Sequence, residues 1–254
     1  AVLRNDIKLI VCGSATSWMI NNLIRNRGGL HNRLTHHLIV KPFTLHECEE
    51  YFKAYHFGYS RKQIAECYMV MGGIPYYLSM MDKSKSLAQN IDQLFFADNA
   101  ELKDEFNDLY RALFKKSADH IAVVTALATK GMGMTRQELV KASGGKDNGA
   151  FSTVLEELEQ CGFIRLYEPF STANKMTSDI RQKRNTLFQL VDFYTLFYFR
   201  FIKHNKYQDS CFWSSSQNSQ LYHTWAGLSF EMLCLNHIDK IKHALGISGV
   251  QTLV

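Results

Sequence analysis

Ile7-Lys8-Leu9-Ile10-Val11-Cys12-Gly13-Ser14 is the stretch on which the fold turns. A short, nearly unbroken apolar run that stops at a Gly-Ser turn reads as a buried parallel strand. Such a strand needs neighbours on both edges and helices on both faces. The next strand candidate, His37 to Val40, cannot complete that sheet alone. At the far end, Gly249-Val250-Gln251-Thr252-Leu253-Val254 reads as another strand, entering a sheet whose partners are not in the sequence. The expectation is a fragment, with its missing strands preceding Ala1.

Outward from that strand, the turn Gly13 to Thr16 leads into a helix carrying Trp18, Met19, Leu23 and Ile24, stopped by Gly28 and Gly29. Leu38-Ile39-Val40 is closed by Pro42-Phe43. Thr44 with Glu47 three residues on has the form of a capping box, ahead of an amphipathic helix with Leu45, Cys48, Tyr51 and Phe52. A further helix, about Ser60 to Met71, runs into Gly72-Gly73-Ile74-Pro75 and continues as Tyr76-Tyr77-Leu78; residues 84–115 read as more helix with loops.

Residues 118–190 follow the pattern of a winged helix-turn-helix. Ile121, Val124, Leu127 and Ala128 mark a first helix, broken by Gly131 and Gly133. Thr135 and Glu138 cap a second, and Phe151, Val154, Leu155, Leu158 and Cys161 mark a third, which Gly162 ends. Phe163-Ile164-Arg165-Leu166 is expected to pair with Thr186-Leu187-Phe188-Gln189-Leu190 as a hairpin, the wing. Phe193 to Ile202 is apolar on nearly every side and should be buried or face another domain. Leu228, Met232, Leu235, Ile238, Ile241 and Leu245 are expected to line one face of a long helix ending at Gly246.

Composition narrows the classes. With 254 residues, 46% of them apolar and 13% aromatic, the chain has material for a packed core and is neither disordered nor collagen-like. No stretch approaches the ~20 apolar residues of a membrane span, and no signal-peptide pattern opens the chain. The six cysteines (Cys12, Cys48, Cys67, Cys161, Cys211, Cys234) form no C-x-x-C pair, which points to free thiols in a reducing cytoplasm. The net charge of +5 is carried by the segment from Arg165 to Lys206, which holds eight basic and three acidic residues. Attraction to an anionic partner therefore starts there.

Cys12-Gly13-Ser14-Ala15-Thr16-Ser17-Trp18-Met19, then Arg33, Pro42-Phe43 and Gly72-Gly73-Ile74-Pro75-Tyr76-Tyr77-Leu78, occur in an order that resembles one family: the prokaryotic archaeal-type ATPases, relatives of AAA+ and STAND P-loop NTPases. The resemblance spans nearly the whole chain. It implies a multidomain, mainly α protein with an α/β remnant: the C-terminal part of a P-loop ATPase core (1–43), a helical lid (44–116), a winged helix (117–191) and the start of a nuclease-like domain of the PD-(D/E)xK type (192–254). It implies an ATP-binding ATPase acting as a nucleotide-dependent switch or motor, with ATP and Mg2+ as cofactors of the intact protein and, in some relatives, self-association into a homo-oligomer.

The departures are as telling. The sequence contains no G-x-x-x-x-G-K-[ST] and no apolar run ending in an acidic pair, so the phosphate cradle and the metal-holding carboxylates are not in these 254 residues. The chain is not expected to hydrolyse ATP or to hold a cofactor by itself. On the resemblance, Ser14 occupies the sensor-1 position, where it would contact the γ-phosphate or the attacking water; capping the following helix would use it equally well. Arg33 stands where relatives place an arginine finger, and a solvated surface arginine is the alternative. Gly72, Gly73 and Pro75 resemble the lid motif that approaches the nucleotide; a helix junction would look the same.

In the winged helix, Glu156, Glu157 and Glu159 on the third helix would repel a phosphate backbone. That leaves Lys146, Asn148, Ser152 and Thr153 near its start as its DNA-facing groups. Lys175, Arg181, Lys183 and Arg184 in the wing loop are better phosphate contacts, and a non-enzymatic winged-helix module binding DNA or a protein partner is the alternative function. Glu231 resembles a helper carboxylate of the nuclease-like domain, without the core residues that would complete a metal site. His31, His36 and His37 with Cys48 and Cys67 lack zinc-like spacing, so no metal is expected.

Overall fold

A computed structural model describes residues 38–168, 186–205 and 209–249, together with residues 10, 12, 13 and 36. The described chain is mainly helical. Its elements are α1 (Leu45–Ala54), α2 (Arg61–Met71), α3 (Pro75–Ser79), α4 (Leu87–Ile91), α5 (Glu105–Leu113), α6 (Ser117–Ala128), β1 (Met134–Thr135), α7 (Arg136–Ser143), α8 (Gly149–Gln160), β2 (Ile164–Tyr167), β3 (Leu187–Leu190), α9 (Phe193–Phe197), α10 (Phe212–Ser216), α11 (Gln220–Asn236) and α12 (Ile238–Ala244).

Local sequence sets several helix starts. Thr44, Ser60, Ser86 and Thr135 each hold the third residue's backbone N–H while that residue's side chain turns back to the cap's own N–H. Two orphan donors are satisfied at each start. The boxes expected at Thr44 and Thr135 are formed.

The hairpin expected between residues 163 and 190 also forms. β2 and β3 are antiparallel, with Ile164 opposite Leu190 and Tyr167 opposite Leu187. β1 adds to the other edge of β3, Met134 opposite Phe188, so β3 is the middle of three strands.

One apolar core runs through the described residues. α4 and α9 each run into a single π-helical turn, Asp92–Phe96 and Tyr198–Ile202. The wider turn lets the consecutive Phe95 and Phe96 both reach the core, where they meet Phe197 at 5.5 and 6.2 Å between ring centroids. Phe197, Phe201, Trp213 and Trp225 complete an edge-to-face cluster with centroid spacings of 5.0 to 5.9 Å. Each such buried ring contributes about 2–3 kcal/mol of hydrophobic stabilisation. The helices after residue 192 thus pack directly onto those before residue 114, α9 and α11 both lying on α2. Tyr110 against Phe163 (4.8 Å) and Phe114 against His120 (3.9 Å) carry the same core into the three-stranded unit.

Two expectations change. No strand is present at residues 38–40: Leu38, Ile39 and Val40 are 83, 68 and 84% exposed, and Ile10 and Cys12 are likewise exposed and outside any strand. A lone strand gains nothing without edge partners for its N–H and C=O groups, and none of the described residues supplies them. The long C-terminal helix is also different. It breaks at His237 into α11 and α12, and its buried stripe is Trp225, Ser229 and Leu233, not the expected Leu228-to-Leu245 face. Packing against α2 and the tryptophan cluster selects the stripe with the largest ring. Leu228, Ile241 and Leu245 are left exposed.

Candidate functional site

The Gly-Gly-Ile-Pro segment is the part of the expected site that the described residues contain. α2 ends with Gly72 in the left-handed region (φ 67°), its N–H donating to the Tyr68 carbonyl at 2.8 Å. Gly73 follows in the same region (φ 72°). Two successive left-handed residues reverse the chain, which only glycine does without strain. The reversal brings Gly73 against Phe43, whose N–H donates to the Gly73 carbonyl at 2.8 Å. A Cβ at Gly73 would lie 2.3 Å from the Phe43 carbonyl oxygen and 2.8 Å from the Tyr68 ring. Pro75 then opens α3, where no backbone N–H is needed.

Beyond Pro75, the exposed Tyr76 is followed by the buried Tyr77, whose hydroxyl donates to Glu105 Oε1 at 2.6 Å. Burial, and next the Glu105 carboxylate, push the Tyr77 phenol well above its ordinary range. It is a fixed donor rather than a titrating group.

A third segment closes the junction. His237, at the break between α11 and α12, donates from Nδ1 to the Leu233 carbonyl (2.9 Å) and accepts at Nε2 from the Leu45 N–H (3.1 Å). The ring is therefore held as the neutral Nδ1–H tautomer, edge-on to Tyr68 at 5.6 Å. The first turn of α1 is thereby tied both to its own cap, Thr44, and to a residue far along the chain.

Beside the junction lies an open groove of about 390 Å3 between α1–α2 and α11–α12. Its floor is Leu45, Ile64, Phe230, Leu233 and Ile241, and its polar rim includes His46, Lys240 and the ion pair of Arg61 with Glu49 at 2.9 Å.

Ser14, Arg33, Lys175, Arg181, Lys183 and Arg184 lie outside the described residues. Of the proposed site residues, Gly72, Gly73 and Pro75 come together with one another and with Pro42-Phe43, the other short motif of the resemblance. At the start of the third helix, α8, Lys146 is exposed, whereas Asn148, Ser152 and Thr153 are engaged locally. Asn148 Oδ1 accepts from the Phe151 N–H at 3.0 Å, and the Ser152 and Thr153 hydroxyls donate back to the Asn148 and Gly149 carbonyls. Glu157 faces His120, while Glu156 and Glu159 are exposed. Glu231 is exposed on α11, and no group of three or more His, Cys, Asp or Glu side chains gathers among the described residues.

Sequence reasoning missed His237 and Glu105. His237 meets Leu45 across 192 residues, a separation at which nothing in the local pattern marks a partner. Glu105 sits in the first turn of α5, where an acidic residue needs no further explanation. No protein-family profile, no curated protein and no solved structure matches this chain.

Proposed function

We propose that the chain is the lid and winged-helix portion of an ATP-binding P-loop ATPase of the archaeal type, working as a nucleotide-dependent switch. The observation that carries this is the contact between Phe43 and Gly73. Two motifs thirty residues apart in the sequence, each part of the resemblance, meet backbone to backbone at 2.8 Å with no space for a side chain between them. Gly73 is buried against Phe43 and Gly72 half-buried, so that the exposed Pro75 is what this junction presents to a ligand. Because the lid helices share one core with the three-stranded unit, a change at this junction would move both as one piece.

In this scheme Ser14 and Arg33 contact the γ-phosphate, in the second case of a neighbouring copy, and Mg2+ with the phosphate loop comes from polypeptide other than these 254 residues. The order helix, strand, helix, helix, strand, strand, with β3 central, supports a winged helix at 117–191. The full-length product of the gene tests the assignment. It should hydrolyse MgATP, and Arg33→Ala should slow hydrolysis by about 10^3 or more, the usual worth of such an arginine. A full-length protein that neither binds nor hydrolyses ATP overturns it.

A second reading, a non-enzymatic winged-helix module on DNA or protein, is favoured by the pairing of β2 with β3, which brackets the basic segment 169–185. Duplex DNA binding should then weaken steeply with salt and drop on neutralising Lys183 and Arg184. The exposed acidic residues of α8 make base reading by that helix unfavourable.

A further inference from the structure

His120 lies on α6, its side chain 3% exposed, and faces Glu157 on α8, 20% exposed. Nδ1 is 3.0 Å from the Lys116 carbonyl oxygen and Nε2 is 2.8 Å from Glu157 Oε2. A carbonyl accepts only, and so does an ionised carboxylate. A neutral imidazole has one N–H, so with Glu157 ionised one of the two contacts would set lone pair against lone pair in the core. The two contacts together need one proton more than a neutral histidine and a carboxylate possess. The Phe114 ring stacks on the imidazole at 3.9 Å and 11°, a face that favours a cationic partner.

We propose that His120 and Glu157 form a proton-dependent clasp that fastens the third helix of the unit, α8, to the first, α6. With the extra proton, both ring nitrogens donate and the clasp is closed. When the proton leaves to solvent, Nε2 presents a lone pair to the Glu157 carboxylate and α8 loosens.

The other charged groups on the packed elements do not supply the charge. Lys116 just before α6, Asp119 on α6 and Glu156 and Glu159 on α8 are exposed; on α5 Arg111 pairs with Asp108 and Glu105 accepts from Tyr77; on α7 Glu138 pairs with Lys130, Arg136 pairs with Asp147 and Lys141 is exposed; Arg165 on β2 donates to Asn236. The device is independent of any nucleotide.

The test uses the whole chain labelled with 15N-histidine. NMR follows protonation of the His120 ring across pH, and hydrogen exchange, corrected for its intrinsic pH dependence, follows the α8 amides. Protection of α8 should fall in step with loss of the ring proton, by up to about tenfold per pH unit for a single proton. In Glu157→Gln the introduced amide donates to a neutral Nε2, so protection should become independent of pH over the same range. His120→Gln, whose amide donates without titrating, should do the same if Glu157→Gln does not fold. A ring that loses its proton with no change in α8 protection overturns the clasp, as does a folded variant that keeps the wild-type pH dependence.

Discussion

The Phe43 N–H and the Gly73 carbonyl are bonded at 2.8 Å, and the Gly73 α-carbon is so close to the Phe43 carbonyl that a methyl group there would overlap it at 2.3 Å. Neighbouring Gly72 has the same left-handed conformation but room for a Cβ, its nearest atom being Phe193 Cβ at 3.7 Å. The two glycines therefore separate backbone strain from steric exclusion. Gly72→Ala should cost about 1–2 kcal/mol, the penalty of the left-handed region alone. Gly73→Ala adds a clash with backbone that cannot rotate away and should cost about 3 kcal/mol or more. Urea midpoints of the two variants measure the difference.

Asp92 ties the first π-helical turn, Asp92–Phe96, to α10. Its carboxylate accepts from the Trp213 N–H at 2.8 Å, the Ser214 N–H at 3.2 Å and the Ser214 hydroxyl. Asp92→Ala strips a buried backbone donor of its charged acceptor and should destabilise by about 2–3 kcal/mol. Asp92→Asn keeps one acceptor and should lose about half as much. Tryptophan fluorescence of the Trp213–Trp225 cluster reports the unfolding in each case.

Glu138 makes the α7 start acid-sensitive. Hydrogen bonds from Lys130 first, then from the Thr135 backbone and hydroxyl, hold its carboxyl below the ordinary 4.5, at about 2. A depressed carboxyl contributes stability above its unfolded value and loses it as pH falls through its folded one. The wild type should therefore weaken between about 4.5 and about 2, and Glu138→Gln should remove that part of the dependence. Thermal midpoints across this window, wild type against variant, check the sign.

The thiols should divide by burial. Burial, with the nearby Glu47 charge, pushes the Cys48 thiol up to about 12, and burial holds the Cys67 thiol well above its ordinary value. Cys12 and Cys211 are exposed. A thiol reagent at neutral pH should modify Cys12 and Cys211 first, and Cys48 and Cys67 only on unfolding. Mass mapping of the labelled peptides reads the order.

What the sequence disclosed is what short-range chemistry controls. Thr44 with Glu47 and Thr135 with Glu138 are four-residue capping patterns, and both are formed. The hairpin was legible because Phe163 to Leu166 and Thr186 to Leu190 are apolar runs beside a glycine and a polar segment. The burial of Phe193, Tyr194, Phe197 and Phe201 followed from the segment being apolar on nearly every side. The C-terminal stripe was misjudged because Leu228 and Trp225 lie on adjacent stripes of one helix, about 60° apart, and only the partners in α2 and around Trp213 decide between them. His237 could not be read at all, since its neutral tautomer and its hold on Leu45 exist only once α11 and α1 meet. Gly72, Gly73 and Pro75 were singled out as candidates through the motif, whereas their closeness to Phe43 belongs to the fold.

The decisive measurement is hydrogen exchange on the full-length gene product with and without a saturating, non-hydrolysable ATP analogue. If the Phe43–Gly73 junction senses nucleotide, amides of residues 42–45 and 72–77 become more protected when the analogue binds, and the helices sharing their core respond with them. Bound analogue with unchanged exchange across those two segments, or no binding of the analogue at all, would contradict the account.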